Sequence, residues 1–215
     1  SYQHIKPSIV GNDKRILVSE LSGRSNVLYK VRELGIEIKL SKTQARNLVD
    51  EIKDKENNGF QYEGAEASFE ILVRRSQDDY VPPFEVQEFM TVVQKQPAPK
   101  NSHSLIEGDL SSQVMLKVEV GNEVMHTASE GNGPVNAMDN ALRKALFEFY
   151  PKLKPLRLTD YKVRVVDGAD GTGAIVRVII ESTDGSTIWS TVGASPNIIT
   201  ASLMALADSM EYWLA

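Results

Sequence analysis

The sequence of 215 residues contains no cysteine, which excludes a disulfide framework and a thiolate metal site. It has no apolar run near the roughly 20 residues that a membrane-spanning helix requires. It also has no lysine or arginine stripe that could follow a phosphate backbone, and 24 basic against 29 acidic residues give a net charge of −5. These absences predict a soluble, cytoplasmic protein with no nucleic-acid or membrane partner.

Catalytic and metal-binding arrangements are also missing. The three histidines, His4, His103 and His126, are far apart in the sequence and form no metal-ligand pair. The glycine-rich segment 167–173 lacks the lysine and following helix of a phosphate loop, and the closing glutamate of a calcium-binding EF-hand. We interpret it as a hairpin loop. We expect the chain itself to be catalytically inactive, with no catalytic residue, no metal site and no cofactor of its own.

The most distinctive stretch is EGNGPVNAMDNALRKALFEF at 130–149, a glycine-rich turn that runs into an amphipathic helix. Pro134 suits the first helical position, where no N–H partner is needed. A helix that begins in this way leaves N–H groups free, and these groups can bind a small anion such as a carboxylate. A plain helix cap is the alternative interpretation.

A similar turn recurs near the C-terminus, where Gly193-Ala194-Ser195-Pro196 can be aligned with Gly131-Asn132-Gly133-Pro134. Apolar residues at helical spacing follow both prolines, and alternating strand patterns precede both turns. The predicted fold class is therefore α+β: a small helical linker subdomain, then a domain of two pseudo-repeated units, each with antiparallel strands plus a helix.

The first third of the chain has a different character, with helical patterns and no clustered reactive groups. Ser41 and Gln44 form a capping box, which predicts a helix from there to Asn57. We assign residues 1–80 to helical linker or communication subdomains and 84–215 to a second domain, which the family resemblance described below implies is a regulatory amino-acid-binding and dimerisation domain. The proline-rich segment 94–104 is expected to be a flexible linker. Because the chain starts at Ser1 without methionine, we also expect a fragment of something longer.

Three motifs in order carry a resemblance to a known family: EGNGPVNAMDNAL from Glu130, LTDYKVRV at 158–165 and STIWSTVGASPNIITASLMAL at 186–206. They resemble the C-terminal regulatory and dimerisation region of the α-isopropylmalate synthase and citramalate synthase family. Leu21-Ser22-Gly23 stands where isopropylmalate synthases usually carry a His-Ser-Gly motif, so the chain is most similar to the citramalate synthase branch.

The resemblance implies a parent acyltransferase that condenses acetyl-CoA with a 2-oxo acid on a divalent metal, in a TIM barrel that this sequence does not include. It implies a homodimer that is attached to this catalytic barrel and takes part in branched-chain amino acid biosynthesis. The effector would be a branched-chain amino acid acting as feedback inhibitor, isoleucine or leucine.

The effector site is predicted where the motifs meet. Backbone N–H groups around Gly133 to Asn136 would bind the carboxylate, and Asp160 or carbonyl groups of the 131–132 turn would bind the ammonium group. Apolar side chains would enclose the aliphatic branch. The predicted effector-binding residues are Asn132, Gly133, Pro134, Val135, Asn136, Leu158, Asp160, Tyr161 and Ile198.

Three alternatives stay open on the sequence. The chain could regulate a 2-isopropylmalate synthase of leucine biosynthesis, or it could be a dimerisation module that binds no ligand. An independent enzyme is the third alternative, and it lacks any catalytic constellation. The sequence does not distinguish the effector or the 2-oxo acid of the parent enzyme.

Overall fold

The computed structural model of the chain describes residues 24–36, 40–95, 110–166 and 171–215. The helices of these residues are α1 (Arg24–Glu33), α2 (Lys42–Asn57), α3 (Glu66–Arg75), α4 (Pro134–Leu146) and α5 (Ile198–Leu214). The strands are β1 (Glu85–Lys95), β2 (Leu110–Val120), β3 (Glu123–Gly131), β4 (Arg157–Val165), β5 (Val176–Thr183) and β6 (Ile188–Ser195). The α+β class is confirmed. No helix in these ranges is long and apolar enough to cross a membrane.

The strands form two antiparallel sheets in chain order, the first sheet β1-β2-β3 and the second sheet β4-β5-β6. The β2–β3 hairpin turns at Gly121, whose φ of 59° lies in the left-handed region that favours glycine. The strands β4 and β5 pair on either side of segment 167–173, as a hairpin loop requires. Of the predicted linker at 94–104, the first two residues belong to β1 and the others lie outside the described residues.

Each sheet is followed by one helix that covers it, and the two units correspond at an offset of 64 residues. In the first unit the Thr127 hydroxyl donates to the carbonyl oxygen of Ala141 over 3.0 Å. In the second unit Thr191 makes the same bond to Ala205 over 2.8 Å. The repeated strands-plus-helix architecture predicted from the sequence is therefore confirmed.

The predicted register of the repeat is wrong by two residues. It aligned Gly131 with Gly193, an offset of 62, whereas the residues that cap α4 and α5, Gly133 and Asn197, differ by 64. The reason is local. Pro134 is the first residue of α4, but Pro196 precedes the cap of α5, so the two prolines are not equivalent.

The first strands of the two sheets, β1 and β4, correspond at an offset of 72 residues. Each carries a β-bulge at the equivalent place, between Val86 and Glu88 in β1 and between Leu158 and Asp160 in β4. A bulge shifts the alternation of side chains by one residue and re-aims the strand. As a result Leu158 and Tyr161 both lie on the helix-facing side of the second sheet, opposite Ser182 and Ile180 of β5.

One apolar core holds both sheets and both covering helices together. The core includes a stripe of apolar side chains at helical spacing on α4 and a second apolar stripe on α5, which belongs to the other unit. The fully buried members of these stripes are Ala137, Met138, Ala141, Leu142, Ala145 and Leu146 of α4 and Ala201, Ala205, Leu206 and Met210 of α5. The two units therefore share one hydrophobic core, and neither unit has a separate core of its own under its helix.

The helices α1, α2 and α3 form a helical unit that packs on the second sheet. The capping box of α2 is confirmed, with Ser41 and Gln44 exchanging both hydrogen bonds. The core of this unit includes Val192 and Ala194, which lie on the face of β6 turned away from α5. Ser68 of α3 also accepts from the backbone N–H of Val192 over 2.9 Å. The helical unit is thus joined to the second sheet by shared core packing as well as hydrogen bonds.

A charged cluster at the end of α3 ties this unit to α5. The Arg75 guanidinium lies 2.6 Å from a carboxylate oxygen of Glu211 and 2.9 Å from one of Asp208. Ser68 donates to the other oxygen of Asp208 over 2.8 Å, and the Tyr80 hydroxyl donates to Glu211 over 3.0 Å. The side chains of Glu211 and Asp208 are only 3% and 13% exposed, so their charges depend on these partners.

Candidate functional site

The structure brings α4 and the start of β4 together around a groove of about 660 Å³, here called the α4 groove. That volume lies within the range of about 300–1,000 Å³ that is usual for small-molecule sites. Its lining residues are Val135, Asn136, Asp139, Arg143, Phe147, Lys154, Leu156, Arg157, Leu158 and Tyr161. Four predicted site residues, Val135, Asn136, Leu158 and Tyr161, therefore meet in one concave surface.

The N-terminus of α4 lies at one end of this groove and has no side-chain cap, since its cap residue is Gly133. Asn136 reaches back instead, and its Oδ1 accepts from the backbone N–H of Asn132 over 3.2 Å. That bond holds the turn against the helix without occupying the first N–H groups of α4. The start of α5 differs, because Asn197 accepts from the N–H groups of Ile199 and Thr200.

Gly131 keeps this turn close to α4. A Cβ at this position would lie 2.4 Å from the backbone nitrogen of Ala137, which is closer than any side chain can approach. At Gly133 an added Cβ would meet no atom within 4 Å, and the backbone there is extended. The two glycines of the motif therefore differ in role: Gly131 is required by packing within the chain, whereas the space beside Gly133 is open.

Tyr161 connects the groove to the start of α5. Its hydroxyl lies 2.8 Å from the Ser202 hydroxyl, which donates in turn to the carbonyl oxygen of Ile198 over 2.6 Å. Because the Ser202 proton is used in that second bond, the Tyr161 hydroxyl is the donor of the first. Ile198 itself does not line the groove, but its carbonyl oxygen is linked through the Ser202 hydroxyl to Tyr161, which does.

An ion pair that sequence reasoning missed forms part of the wall. The Arg143 Nε donates to both carboxylate oxygens of Asp139 over 3.0 and 2.9 Å, and its Nη1 donates to the carbonyl oxygen of Leu156 over 2.6 Å. Asp and Arg four residues apart on a helix are a recognisable signal for such a pair. This pair fixes the distance between α4 and the segment that leads into β4.

Asp160 lies on the face of β4 away from the groove. It is paired with Lys162, and its carboxylate accepts from the N–H of Tyr161 over 2.8 Å. The hydrogen bond from Lys162 is the main reason that the pKa of Asp160 is lowered. The other predicted residues outside the lining, Asn132, Gly133 and Pro134, belong to the turn and the helix start at the end of the groove.

The charged residues of the groove are one acid, Asp139, and three bases, Arg143, Lys154 and Arg157. The excess of positive charge favours a ligand with a carboxylate, as does the uncapped N-terminus of α4. Among the residues that the structure describes, no group of three or more histidine, aspartate or glutamate side chains could hold a metal ion. The groove therefore fits a small anionic or zwitterionic molecule with an apolar part.

Comparison with known proteins identifies similar sequences. Residues 63–214 match the model of the LeuA allosteric (dimerisation) domain. The chain is 46% identical to the (R)-citramalate synthase of Geobacter sulfurreducens and 45% identical to that of Aquifex aeolicus, over its whole length in both cases. It is 43% identical to the (R)-citramalate synthase of Synechocystis sp.. The chain spans only 39% of the length of the first two relatives and 38% of the third.

Proposed function

Since the chain belongs to the LeuA allosteric (dimerisation) domain family, we propose that it is the regulatory region of a citramalate synthase and binds a branched-chain amino acid as feedback inhibitor. The observation that carries this proposal is the α4 groove, where an uncapped helix start, a cationic rim and apolar side chains meet. The whole enzyme would condense acetyl-CoA with pyruvate on a divalent metal in a catalytic barrel outside this sequence. The chain would respond to the end product, isoleucine.

Each part of an amino acid has a partner in the α4 groove. The carboxylate would be bound by the backbone N–H groups of Val135 and Asn136, because the helix start supplies no side chain to them. The aliphatic branch would pack on Leu158 and Tyr161. Since Asp160 lies on the opposite face of β4, the ammonium group would bind Asp139 or carbonyl oxygens of the 131–132 turn.

Two substitutions at Tyr161 test this assignment. Tyr161→Ala removes the ring that would cover the aliphatic branch, and we expect isoleucine to bind roughly ten- to a hundredfold more weakly, since enclosing such a branch is worth about 1.5–3 kcal/mol. Tyr161→Phe keeps the ring and loses only the bond to Ser202, so it should bind much more tightly than Tyr161→Ala. Isothermal titration measures both.

The same titrations should show limited selectivity among amino acids. One methylene changes the burial free energy by about 0.8 kcal/mol, so isoleucine, leucine and valine should differ by several-fold to tens of fold in affinity. The proposed function fails if the wild-type chain binds none of the three. It also fails if Tyr161→Ala binds isoleucine as the wild type does.

We also propose that the chain forms a homodimer through the face of the first sheet that is turned away from α4. Met90, Met115 and Ala128 lie side by side there across β1, β2 and β3. Met90 and Met115 are 51% and 45% exposed. The equivalent face of the second sheet, where Val192 of β6 stands at the position of Ala128, is covered by the helical unit. A second copy would cover the remaining apolar face.

Sedimentation of the chain at micromolar concentration should therefore show a dimer. Met115→Lys places a charge in the centre of the proposed interface and should shift the chain to monomer. Ile188→Lys is the matched control, because Ile188 is 67% exposed on the other sheet. A wild-type monomer, or a dimer that Met115→Lys leaves intact, would contradict this interface.

A further inference from the structure

The sequence contains two Asn-Gly dipeptides, Asn58-Gly59 and Asn132-Gly133. Asparagine is chemically labile, and most of all before glycine, where no Cβ hinders attack of the next backbone nitrogen on the side-chain amide. That attack needs a free N–H on the glycine, a free asparagine side chain and a backbone that can bend. The two dipeptides differ in all of these features.

The dipeptide at the end of α2 is protected. Nδ2 of Asn58 donates to the carbonyl oxygen of Asp54 over 2.7 Å. The N–H of Gly59 donates to the carbonyl oxygen of Glu56 over 3.0 Å. Gly59 is also buried, and an added Cβ would lie only 2.6 Å from a methyl carbon of Ile175. Both reacting groups are therefore occupied, and packing holds the backbone around them in place.

The dipeptide before α4 has none of these restraints. Among the residues that the structure describes, none forms a hydrogen bond with the side chain of Asn132 or with the N–H of Gly133. Asn132 is exposed, and its backbone N–H donates to Oδ1 of Asn136. Gly133 is extended, and an added Cβ would meet no atom within 4 Å. The two reacting groups are therefore free to approach each other.

We propose that Asn132 is a site of spontaneous deamidation that removes effector binding from the α4 groove. The nitrogen of Gly133 forms a bond to Cγ of Asn132, and its proton leaves with the side-chain amide as ammonia. Water then opens the resulting succinimide ring at either carbonyl carbon, which gives an aspartyl or an isoaspartyl residue at position 132. The modification itself depends only on this turn, whereas its effect on binding rests on the proposed function.

Either product changes the start of α4. Each adds a negative charge beside the N–H groups of Val135 and Asn136, where the positive end of the helix dipole attracts it. This charge repels the carboxylate of an amino acid that would bind there. The isoaspartyl product also adds a methylene to the main chain, which displaces the turn that Gly131 holds against Ala137. A chain modified at position 132 therefore loses its response to isoleucine.

The test compares the chain before and after incubation for days in mildly alkaline buffer, below its unfolding temperature. Peptide mapping by mass spectrometry should show conversion of the amide to an acid at Asn132 and none at Asn58. Anion exchange isolates the converted chain by its additional negative charge. Isothermal titration with L-isoleucine should then give an affinity lower by about tenfold or more, because charge-assisted hydrogen bonds to the carboxylate are lost.

Asn132→Gln is the matched control, because ring closure from the longer glutamine side chain is much slower. Its affinity for L-isoleucine should be the same before and after the incubation. Far-UV circular dichroism establishes that each sample is folded. If the incubated Asn132→Gln chain lost affinity as the wild type does, another chemical change would be responsible and the inference would be overturned.

The remaining outcomes separate this inference from the proposed function. Conversion at Asn132 that is no faster than at Asn58 overturns the inference, and the titration of the fresh chain still decides the proposed function. A converted chain that binds L-isoleucine as the fresh chain does overturns the effect on binding. A fresh chain that binds no branched-chain amino acid overturns the proposed function and this effect together, while the peptide map decides the modification.

Discussion

Gly133→Val is expected to abolish binding of isoleucine and leucine while leaving the chain folded. An added Cβ at Gly133 meets no protein atom within 4 Å, and the extended backbone there suits valine. The branched side chain would instead occupy the space beside the first N–H groups of α4, where the carboxylate of the amino acid is proposed to bind. Loss of those charge-assisted bonds and of close approach should reduce affinity at least a hundredfold, or about 2.8 kcal/mol.

The neighbouring glycine supplies the contrast for this variant. Gly131→Ala would place its Cβ 2.4 Å from the nitrogen of Ala137, so it should destabilise the fold by about 1–3 kcal/mol. Thermal unfolding together with isothermal titration distinguishes the two effects. If Gly133→Val bound isoleucine as the wild type does, the carboxylate could not lie at the start of α4.

Arg75→Met is expected to have the largest effect on stability. It removes the cation that pairs with Asp208 and Glu211, whose side chains are 13% and 3% exposed. Breaking a buried ion pair from one side costs about 3–5 kcal/mol, and the lower end applies because Arg75 itself is 41% exposed. Arg74→Met is the control. Among the residues that the structure describes, the ion-pair partner of Arg74 is Glu70 on the same helix surface, and such a pair is worth about 0.3–0.5 kcal/mol.

The stability loss of Arg75→Met should depend on pH. Burial raises the pKa of Asp208, and the nearby charge of Arg75 opposes that rise. A carboxyl group whose pKa is higher in the folded state favours folding at low pH, and this contribution is lost as pH rises through the folded pKa. Without Arg75 the pKa of Asp208 rises further. The difference between Arg75→Met and the wild type in the free energy of unfolding should therefore be large near pH 7 and smaller at acid pH. Urea unfolding at several pH values measures it, and a pH-independent difference would contradict the pairing.

Local signals in the sequence predicted much of this fold. The capping box of Ser41 and Gln44 predicted the start of α2, and Pro134 after the glycine-rich turn predicted the start of α4. These features depend on residues close in sequence, so the pattern contains the information. The repeat was also recognised, but its register was set by the resemblance between two glycine-proline turns, and Asn197 rather than Pro196 determines where α5 begins.

The meeting of residues in the α4 groove was predictable where it depends on the motif and not where it depends on long-range packing. Val135, Asn136, Leu158 and Tyr161 meet in the α4 groove as expected. The assignment of Asp160 to the site did not take the neighbouring β-bulge into account. This bulge decides the face of the sheet on which each side chain of β4 lies. Contacts that join distant parts of the chain, such as Arg75 with Glu211, leave no periodic signal in one sequence.

The central claim, that a branched-chain amino acid binds in the α4 groove, is tested most directly by backbone amide NMR of the chain during titration with L-isoleucine. We predict that the largest, saturable chemical-shift changes include the amides of Gly133, Val135, Asn136 and residues 158–161. The Gly133→Val variant should lose these changes. A titration to saturation that leaves the amides of Gly133, Val135, Asn136 and residues 158–161 unshifted would contradict the claim.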